Sequence, residues 1–240
     1  MTASLIHAKI KQTTYMKKTI ISSITVLMVA LLCPQIIQAQ GTIYLSSLSQ
    51  TSTGSFSVGG DSWLSAAFET GNNTSGYALN SIQLGMTNAS GNPSGFTVML
   101  YSAIQNGEFS PGSSLDTLNG STNPATGGIF TYAPASSLIL SSDTVYFIVL
   151  TAGTAIASGA YYNWSGASIG YNPIDGWKAP VGFTRPDNYQ SSDGLHWNVI
   201  PYPYPQFAVT ATAVPEPSSE ILLGLGGLFF LWHRRKAKAV

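Results

Sequence analysis

Cysteine, histidine and charged side chains are scarce in this 240-residue chain, which contains one cysteine, three histidines and 8% charged residues. The one cysteine, Cys33, lies in an apolar segment near the N-terminus, so the region after it has no disulfide and no thiolate metal site. That region, of about 175 residues, is long enough for one ordinary hydrophobic core. Its single histidine, His196, gives poor support for a zinc site.

Basic residues are nearly absent from residues 41–213, which hold eight acidic residues but only Lys178 and Arg185 as bases. The formal net charge of this region is therefore −6, although the net charge of the whole chain is zero. Nucleic-acid binding depends on lysine and arginine to neutralise phosphates, so this balance argues against a nucleic-acid partner. Aliphatic and aromatic residues are plentiful, which is not typical of a disordered polyanion.

Alternating apolar residues predict β-strands along the whole of this region. Phe96, Val98 and Leu100 recur with the period of two that a strand requires. The unbroken apolar run at 145–150 is typical of a central strand covered on both faces. Further strands are expected at residues 42–48, 63–70, 79–87, 128–132, 137–140 and 206–212. Turn-forming residues separate them at 71–73, 91–93, 110–112, 123–124 and 141–143.

Short strands joined by glycine, asparagine, proline and serine indicate an all-β fold. We predict an antiparallel, jelly-roll-like β-sandwich over residues 40–213, with an N-terminal signal helix before it and a short C-terminal transmembrane helix after it. Phe207, Val209 and Ala211 are expected on one face of the last strand. The three alternating prolines just before that strand predict an edge strand or a linker, because proline cannot donate to a central ladder.

Aromatic residues are concentrated between residues 153 and 204, where the strand pattern is less regular. Long loops on a rigid β-scaffold often carry function, so Trp164, Trp177 and Trp197 are candidate sugar-stacking residues for an exopolysaccharide. Packing inside the core or against a turn is the alternative role for each of them. The sequence leaves both roles open.

Catalytic groups are few, and no residue is predicted to be catalytic. A histidine-based triad would need His196 with Asp193 or Asp187, but no nucleophile elbow is present and His196 is expected in a strand. A glycoside hydrolase would need two carboxylates, such as Asp61 with Glu69 or Asp187 with Asp193, yet aspartate beside glycine or serine is typical of turns. No cofactor is predicted. Calcium is the one metal left open, because loop aspartates can bind it, although no dense aspartate run occurs.

The N-terminus has the layout of a secretory signal peptide. Lys17 and Lys18 precede an apolar run at 19–32, and a cut is expected after Ala39. Residues 1–39 are therefore assigned to the signal region, with Met16 as an alternative start. A retained membrane helix is the other interpretation, but the run is short for a span of about 20 residues.

The C-terminal tail, residues 214–240, combines a Pro-Glu-Pro segment, a short apolar block and a basic end. The block is 12 residues long. As a helix it measures about 18 Å, whereas a bilayer core of about 30 Å needs roughly 20 residues. Marginal spanning suits a transient anchor, and a permanent single-pass anchor is the alternative. The sorting motif is Val214, Pro215, Glu216 and Pro217; the membrane segment is Ile221, Leu222, Leu223, Leu225, Leu228, Phe229, Phe230, Leu231 and Trp232; the cytoplasmic basic stop is Arg234, Arg235, Lys236 and Lys238.

With its three parts in this order, the tail closely resembles the PEP-CTERM sorting signal of Gram-negative bacteria. The resemblance implies that an exosortase, a membrane cysteine transpeptidase, recognises the chain and cuts it near the motif after a transient stay in the inner membrane. It also implies export to the cell envelope, the cell surface or the extracellular matrix, in bacteria that make exopolysaccharide and biofilm.

A second resemblance covers most of residues 45–212, which are similar to the choice-of-anchor domains of the type R group. The segments that carry it are 63–71, 77–82, 95–102, 143–150, 192–194 and 205–209. These domains are named for their interchangeable surface-anchoring tails and have no established activity, so the resemblance implies no catalytic residues. The expected function is an exported, non-enzymatic surface or matrix protein associated with exopolysaccharide. A carbohydrate-binding module and, more remotely, a surface glycoside hydrolase are the alternatives.

Overall fold

A computed structural model describes residues 41–168, 170–179, 188–200 and 203–216. Within these ranges the chain forms fifteen β-strands and one three-residue 3-10 helix, Ile156–Ser158. The strands are β1 Thr42–Ser46, β2 Ser52–Val58, β3 Trp63–Glu69, β4 Tyr77–Ser90, β5 Thr97–Asn106, β6 Glu108–Leu118, β7 Gly128–Tyr132, β8 Ile139–Leu140, β9 Val145–Thr151, β10 Tyr161–Ala167, β11 Asn172–Pro173, β12 Asn188–Ser191, β13 Asn198–Val199, β14 Tyr204–Pro205 and β15 Phe207–Ala213.

The strands pair antiparallel in two sheets, which confirms the predicted all-β sandwich. The first sheet has the order β11-β1-β15-β4-β10-β14, with β2 also paired to β10 and both β7 and β8 paired to β4. The second sheet has the order β13-β12-β3-β9-β5-β6. The signal region 1–39 and the membrane segment of the tail lie outside the described residues. Across the described ranges, no helix has the length and apolar character needed to cross a membrane.

The main core lies between the two sheets. Phe68, Leu100 and Ile148 of the second sheet form one buried cluster with Ile82 and Val209 of the first. All five side chains are completely buried. Full burial of each contributes about 1.5–3 kcal/mol to folding. The predicted alternation of β15 is confirmed, because its residues 207, 209 and 211 all belong to this cluster.

The central strand β9 is buried on both of its faces, as its unbroken apolar run predicts. Ile148 and Leu150 face the main core, whereas Phe147 and Val149 belong to a second buried cluster on the outer face of the sheet. Tyr189 of β12 packs edge to face on Phe147, with ring centroids 5.7 Å apart. The second sheet therefore has an apolar outer face as well as an apolar inner face.

The hairpin of β5 and β6 folds over this outer face. Its register shifts between Leu100 and Tyr101 and again between Tyr101 and Ala103, and such bulges bend a strand. As a result, the hydroxyl of Tyr189 in β12 donates a hydrogen bond to the carbonyl of Phe109 in β6. In a flat sheet four strand spacings, about 19 Å, would separate these two strands.

The turn predicted at residues 110–112 is wrong. These residues lie inside β6, and the hairpin turns at Gly107, whose φ of 91° suits glycine. Pro111 stands opposite Ala103 in the ladder. The missing N–H of proline is tolerated there because β6 is the edge strand of its sheet.

Candidate functional site

The first residues of the predicted sorting motif lie against the folded domain. β15 ends at Ala213, which is paired with Tyr77. The next amide, that of Val214, donates a hydrogen bond of 3.0 Å to the carbonyl of Gly76. Val214, the first residue of the motif, therefore continues the strand ladder without a linker. Residues 217–240, which contain Pro217, the membrane segment and the basic stop, lie outside the described residues.

A cleft of about 430 Å³ opens beside the folded hairpin, along one end of the second sheet. Strand order builds it, because β3, β9, β5 and β6 are successive neighbours in that sheet. Its volume is within the range of small-ligand pockets, about 300–1,000 Å³. Its wall is partly apolar and partly polar, and the lining residues are Glu69, Ser102, Ala103, Phe109, Leu115, Asp143, Thr144, Val145 and Tyr146.

Two carboxylates give the cleft its charge. Glu69 is 7% exposed, and its Oε1 accepts a hydrogen bond of 2.8 Å from the ammonium of Lys178. Asp143 is exposed on the loop before β9 and has a φ of 46°, a left-handed conformation that aspartate tolerates. Its amide donates to the carbonyl of Gly71, which fixes the loop at the rim. Lys178 offsets the charge of Glu69, so the exposed Asp143 carboxylate supplies the remaining negative charge, which favours neutral or cationic ligands over anions.

The three tryptophans proposed as a sugar platform are not brought together on one surface. Trp164 is 0% exposed in β10, and Trp177 is 2% exposed. Trp177 stacks between Tyr44 and Phe68, with ring centroids 4.8 and 5.7 Å away. A pyranose ring needs an exposed indole face, which neither residue offers. Trp197 is partly buried and packs against the outer cluster of the second sheet.

His196 lies in an exposed turn two residues before β13, so its predicted place in a strand is wrong. Its Nδ1 lies 2.6 Å from Oδ2 of Asp193, and that carboxylate also accepts the backbone N–H groups of Leu195 and His196. The hydroxyl of Ser191 donates to the same carboxylate rather than to the imidazole. A catalytic triad requires the hydroxyl on the histidine. These hydrogen bonds all lie within residues 191–196 and stabilise the turn.

The first carboxylate pair considered for a glycoside hydrolase is separated by β3. Asp61 lies in the turn before this strand and Glu69 ends it, so the length of the strand, about 20 Å, lies between them. Paired glycosidase carboxylates stand about 5–9.5 Å apart. Asp61 instead accepts the amide of Ile156 at 2.6 Å, at the start of the 3-10 helix. Of the second pair, Asp187 lies outside the described residues.

The turn around Asp193 is expected to depend on pH. The His196 ring, followed by the amides of His196 and Leu195, holds the pKa of the Asp193 carboxyl well below its ordinary value. A carboxyl with a depressed pKa stabilises the folded turn above its unfolded pKa of about 3.9, and this contribution is lost as pH falls through the folded value. We expect the Leu195 amide, relative to its intrinsic exchange rate, to stay protected at about pH 4 and to lose this protection as pH falls further. Hydrogen exchange across this range, divided by the intrinsic rate at each pH, measures the effect, with Asp193→Asn, whose side chain does not titrate, as the control. Titration at an ordinary pKa would refute it.

Metal ligands are not clustered in the part of the chain that the structure describes. No group of three or more histidine, cysteine, aspartate or glutamate side chains is close enough together there to hold a metal ion. Calcium, the metal that the sequence left open, gains no support from these ranges.

Comparison with known proteins tests the tail directly. Residues 213–236 match the model of the PEP-CTERM protein-sorting motif. The chain carries this sorting signal. The match confirms the first resemblance, supports export to the envelope or surface of a bacterium, and implies processing by an exosortase. It also places the start of the signal at the last residue of β15.

The rest of the chain is not assigned to a family by these comparisons. None of the curated proteins matches it. A solved structure of the cysteine protease and lectin-like domains of Cwp84, a surface-layer-associated protein of Clostridium difficile, is similar at 13% identity and a TM-score of 0.37. The similarity covers 64% of this chain, which spans only 33% of that structure. The choice-of-anchor resemblance stays a prediction.

Proposed function

We propose that this chain is an exported, non-enzymatic β-sandwich protein of the cell surface or extracellular matrix of a Gram-negative bacterium. The observation that carries the proposal is the sorting-signal match at 213–236, which follows directly on the last strand of the sandwich. In this account the tail holds the chain in the inner membrane for a short time, an exosortase removes it, and the β-domain is the cargo. The Ser191 hydroxyl donates to the Asp193 carboxylate rather than to the His196 ring, so these three side chains are not arranged as a catalytic triad.

Sorting is tested by replacing Pro215, Glu216 and Pro217 together with alanine in cells that contain the exosortase. We expect most of the variant to remain in the inner-membrane fraction, because the enzyme loses its recognition motif while the apolar block and basic stop are unchanged. Ser113→Ala with Ser114→Ala, on the exposed part of β6, is the control. A variant that reaches the surface as the unaltered chain does would contradict sorting by this motif.

A second proposed role is binding of exopolysaccharide in the cleft rather than on the tryptophans. The favouring observation is that one 430 Å³ cleft combines a phenyl ring, hydroxyl groups and two carboxylates. Phe109 offers an apolar surface for the C–H face of a sugar ring, and the carboxylate of Asp143 accepts hydrogen bonds from sugar hydroxyl groups. The negative charge favours neutral sugars or amino sugars over polyuronates.

Binding in the cleft is tested with Asp143→Asn, which keeps the shape and the left-handed backbone but removes the charge. We expect affinity for a neutral or partly deacetylated amino-sugar polymer to fall about tenfold, because hydrogen bonds to a charged carboxylate are replaced by weaker ones to a neutral amide oxygen. Asp175→Asn is the matched control, since Asp175 has a similar φ of 50° and does not line the cleft. Equal binding by the unaltered chain and both variants would refute this role.

A further inference from the structure

The loop between β3 and β4 binds the start of the sorting motif through side chains as well as through the backbone. Asn73 Nδ2 donates to the carbonyl of Val214 at 3.0 Å and to that of Gly76 at 2.6 Å. Thr74 Oγ1 donates to Oε1 of Glu216 at 2.7 Å. Together with the Val214 amide on Gly76, these contacts occupy both the backbone and the acidic side chain of the motif.

The loop that makes these contacts is held by the core beneath it. The hydroxyl of Tyr77 accepts the Asn73 amide at 3.2 Å, and the Tyr77 ring packs edge to face on Trp177 at 5.1 Å. Gly71 has no room for a side chain, since a Cβ there would lie 2.4 Å from the carbonyl oxygen of Asp175. The position of the loop is therefore fixed by buried side chains, and the motif docks on a preformed surface.

Docking leaves little chain between the domain and the bilayer. Only residues 217–220 separate Glu216 from the apolar block that begins at Ile221. Four residues reach at most about 14 Å when fully extended, and the interfacial layer of a bilayer occupies about 5–7 Å of that distance. While the motif is docked, a membrane enzyme has access to it only across this short span. The amide and the carbonyl of Val214 are both hydrogen-bonded to the domain, so an enzyme cannot bind these two groups while the motif is docked.

We propose that the β3–β4 loop is an intramolecular binding site for the sorting motif, with Asn73 and Thr74 as positioning residues, and that exosortase processing requires the motif to leave it. This inference rests on the proposed removal of the tail by an exosortase and adds a step before it. Sorting by the tail does not itself require the motif to be docked. It makes the folded sandwich itself a determinant of when the signal is available.

Docking is tested by hydrogen exchange of the Val214 amide in the full-length chain in detergent micelles. We expect protection in the unaltered chain, and exchange about three to ten times faster in Asn73→Ala, because one to two hydrogen bonds of the docked state are lost. Thr74→Val is expected to raise exchange about twofold to threefold, and Thr74→Ser, which keeps the hydroxyl, to restore protection. Asn72→Ala, at the exposed neighbouring position, is the matched control.

Amides of β9 report whether each variant remains folded, so that a general loss of structure is distinguished from undocking. Processing by exosortase-containing membranes is then expected to rise in the order of the exchange rates. An unprotected Val214 amide in the unaltered chain overturns docking. Faster exchange with an unchanged processing rate overturns the control of processing, and neither result affects sorting as measured by the alanine triple variant.

Discussion

Replacing Trp164 with alanine is expected to lower the free energy of unfolding by about 3–5 kcal/mol, as is typical of a fully buried tryptophan. The indole is 0% exposed, and its Nε1 donates to the carbonyl of Gln206 at 3.0 Å. The variant leaves a cavity beside Phe207, whose ring centroid lies 6.4 Å from that of Trp164, and an acceptor without its donor. Urea unfolding of the exported form measures the loss, which corresponds to a fall in Tm of about 6–20 °C.

The same experiment separates core packing from sugar stacking. Trp164→Phe, which keeps an aromatic ring in the core, is expected to lose less stability than Trp164→Ala. Trp197→Ala is the comparison at a partly buried position. If Trp164→Ala kept its stability and lost binding to a glycan polymer, the core assignment would be contradicted and the stacking role restored.

Replacing Gly76 with alanine is expected to cost about 2–4 kcal/mol. Gly76 has a φ of 79°, which costs an L-residue about 1–2 kcal/mol. A Cβ there would also lie 2.4 Å from the carbonyl oxygen of Leu140, so β8 or the loop must shift. The change acts on both the sheet and the docking loop, because Gly76 accepts the amide of Val214. Denaturant unfolding measures the cost.

Gly107→Ala is the matched control for this prediction. Gly107 also has a positive φ, 91°, but a Cβ there meets nothing within 4 Å. It therefore carries the backbone cost of about 1–2 kcal/mol without the clash. Equal losses in the two variants would mean that the contact with Leu140 is not restrictive.

The strands that sequence predicts best are those with a simple burial pattern. β9 is apolar on both faces, and apolar residues alternate with others along β15. The residue pattern of each strand is therefore enough to predict which of its faces are buried. β10 was not predicted, because Asn163, Ser165 and Gly166 have low strand propensity. Pairing with β4, β2 and β14 stabilises β10 instead. These partners come from distant parts of the chain, so the residues of β10 alone do not indicate the pairing.

Prediction of functional positions follows the same division between local and long-range features. The tail is a linear signal, so its motif was identified without the fold. The cleft was not predicted, because Glu69, Phe109 and Asp143 come from distant parts of the chain and meet only through the order of the second sheet. Asp61 and Glu69 are close in sequence, but the strand between them carries them apart. Burial of Trp164 likewise depends on which strands flank it.

The mass of the surface-retained chain tests most directly whether this protein is a cargo delivered by a removable tail. Purification from the outer surface or the matrix, followed by intact mass measurement and C-terminal peptide mapping, gives its two ends. We expect a C-terminus near the Pro-Glu-Pro motif, with the apolar block and the basic residues Arg234, Arg235, Lys236 and Lys238 removed. A surface-retained chain that extends to Val240 would contradict the account.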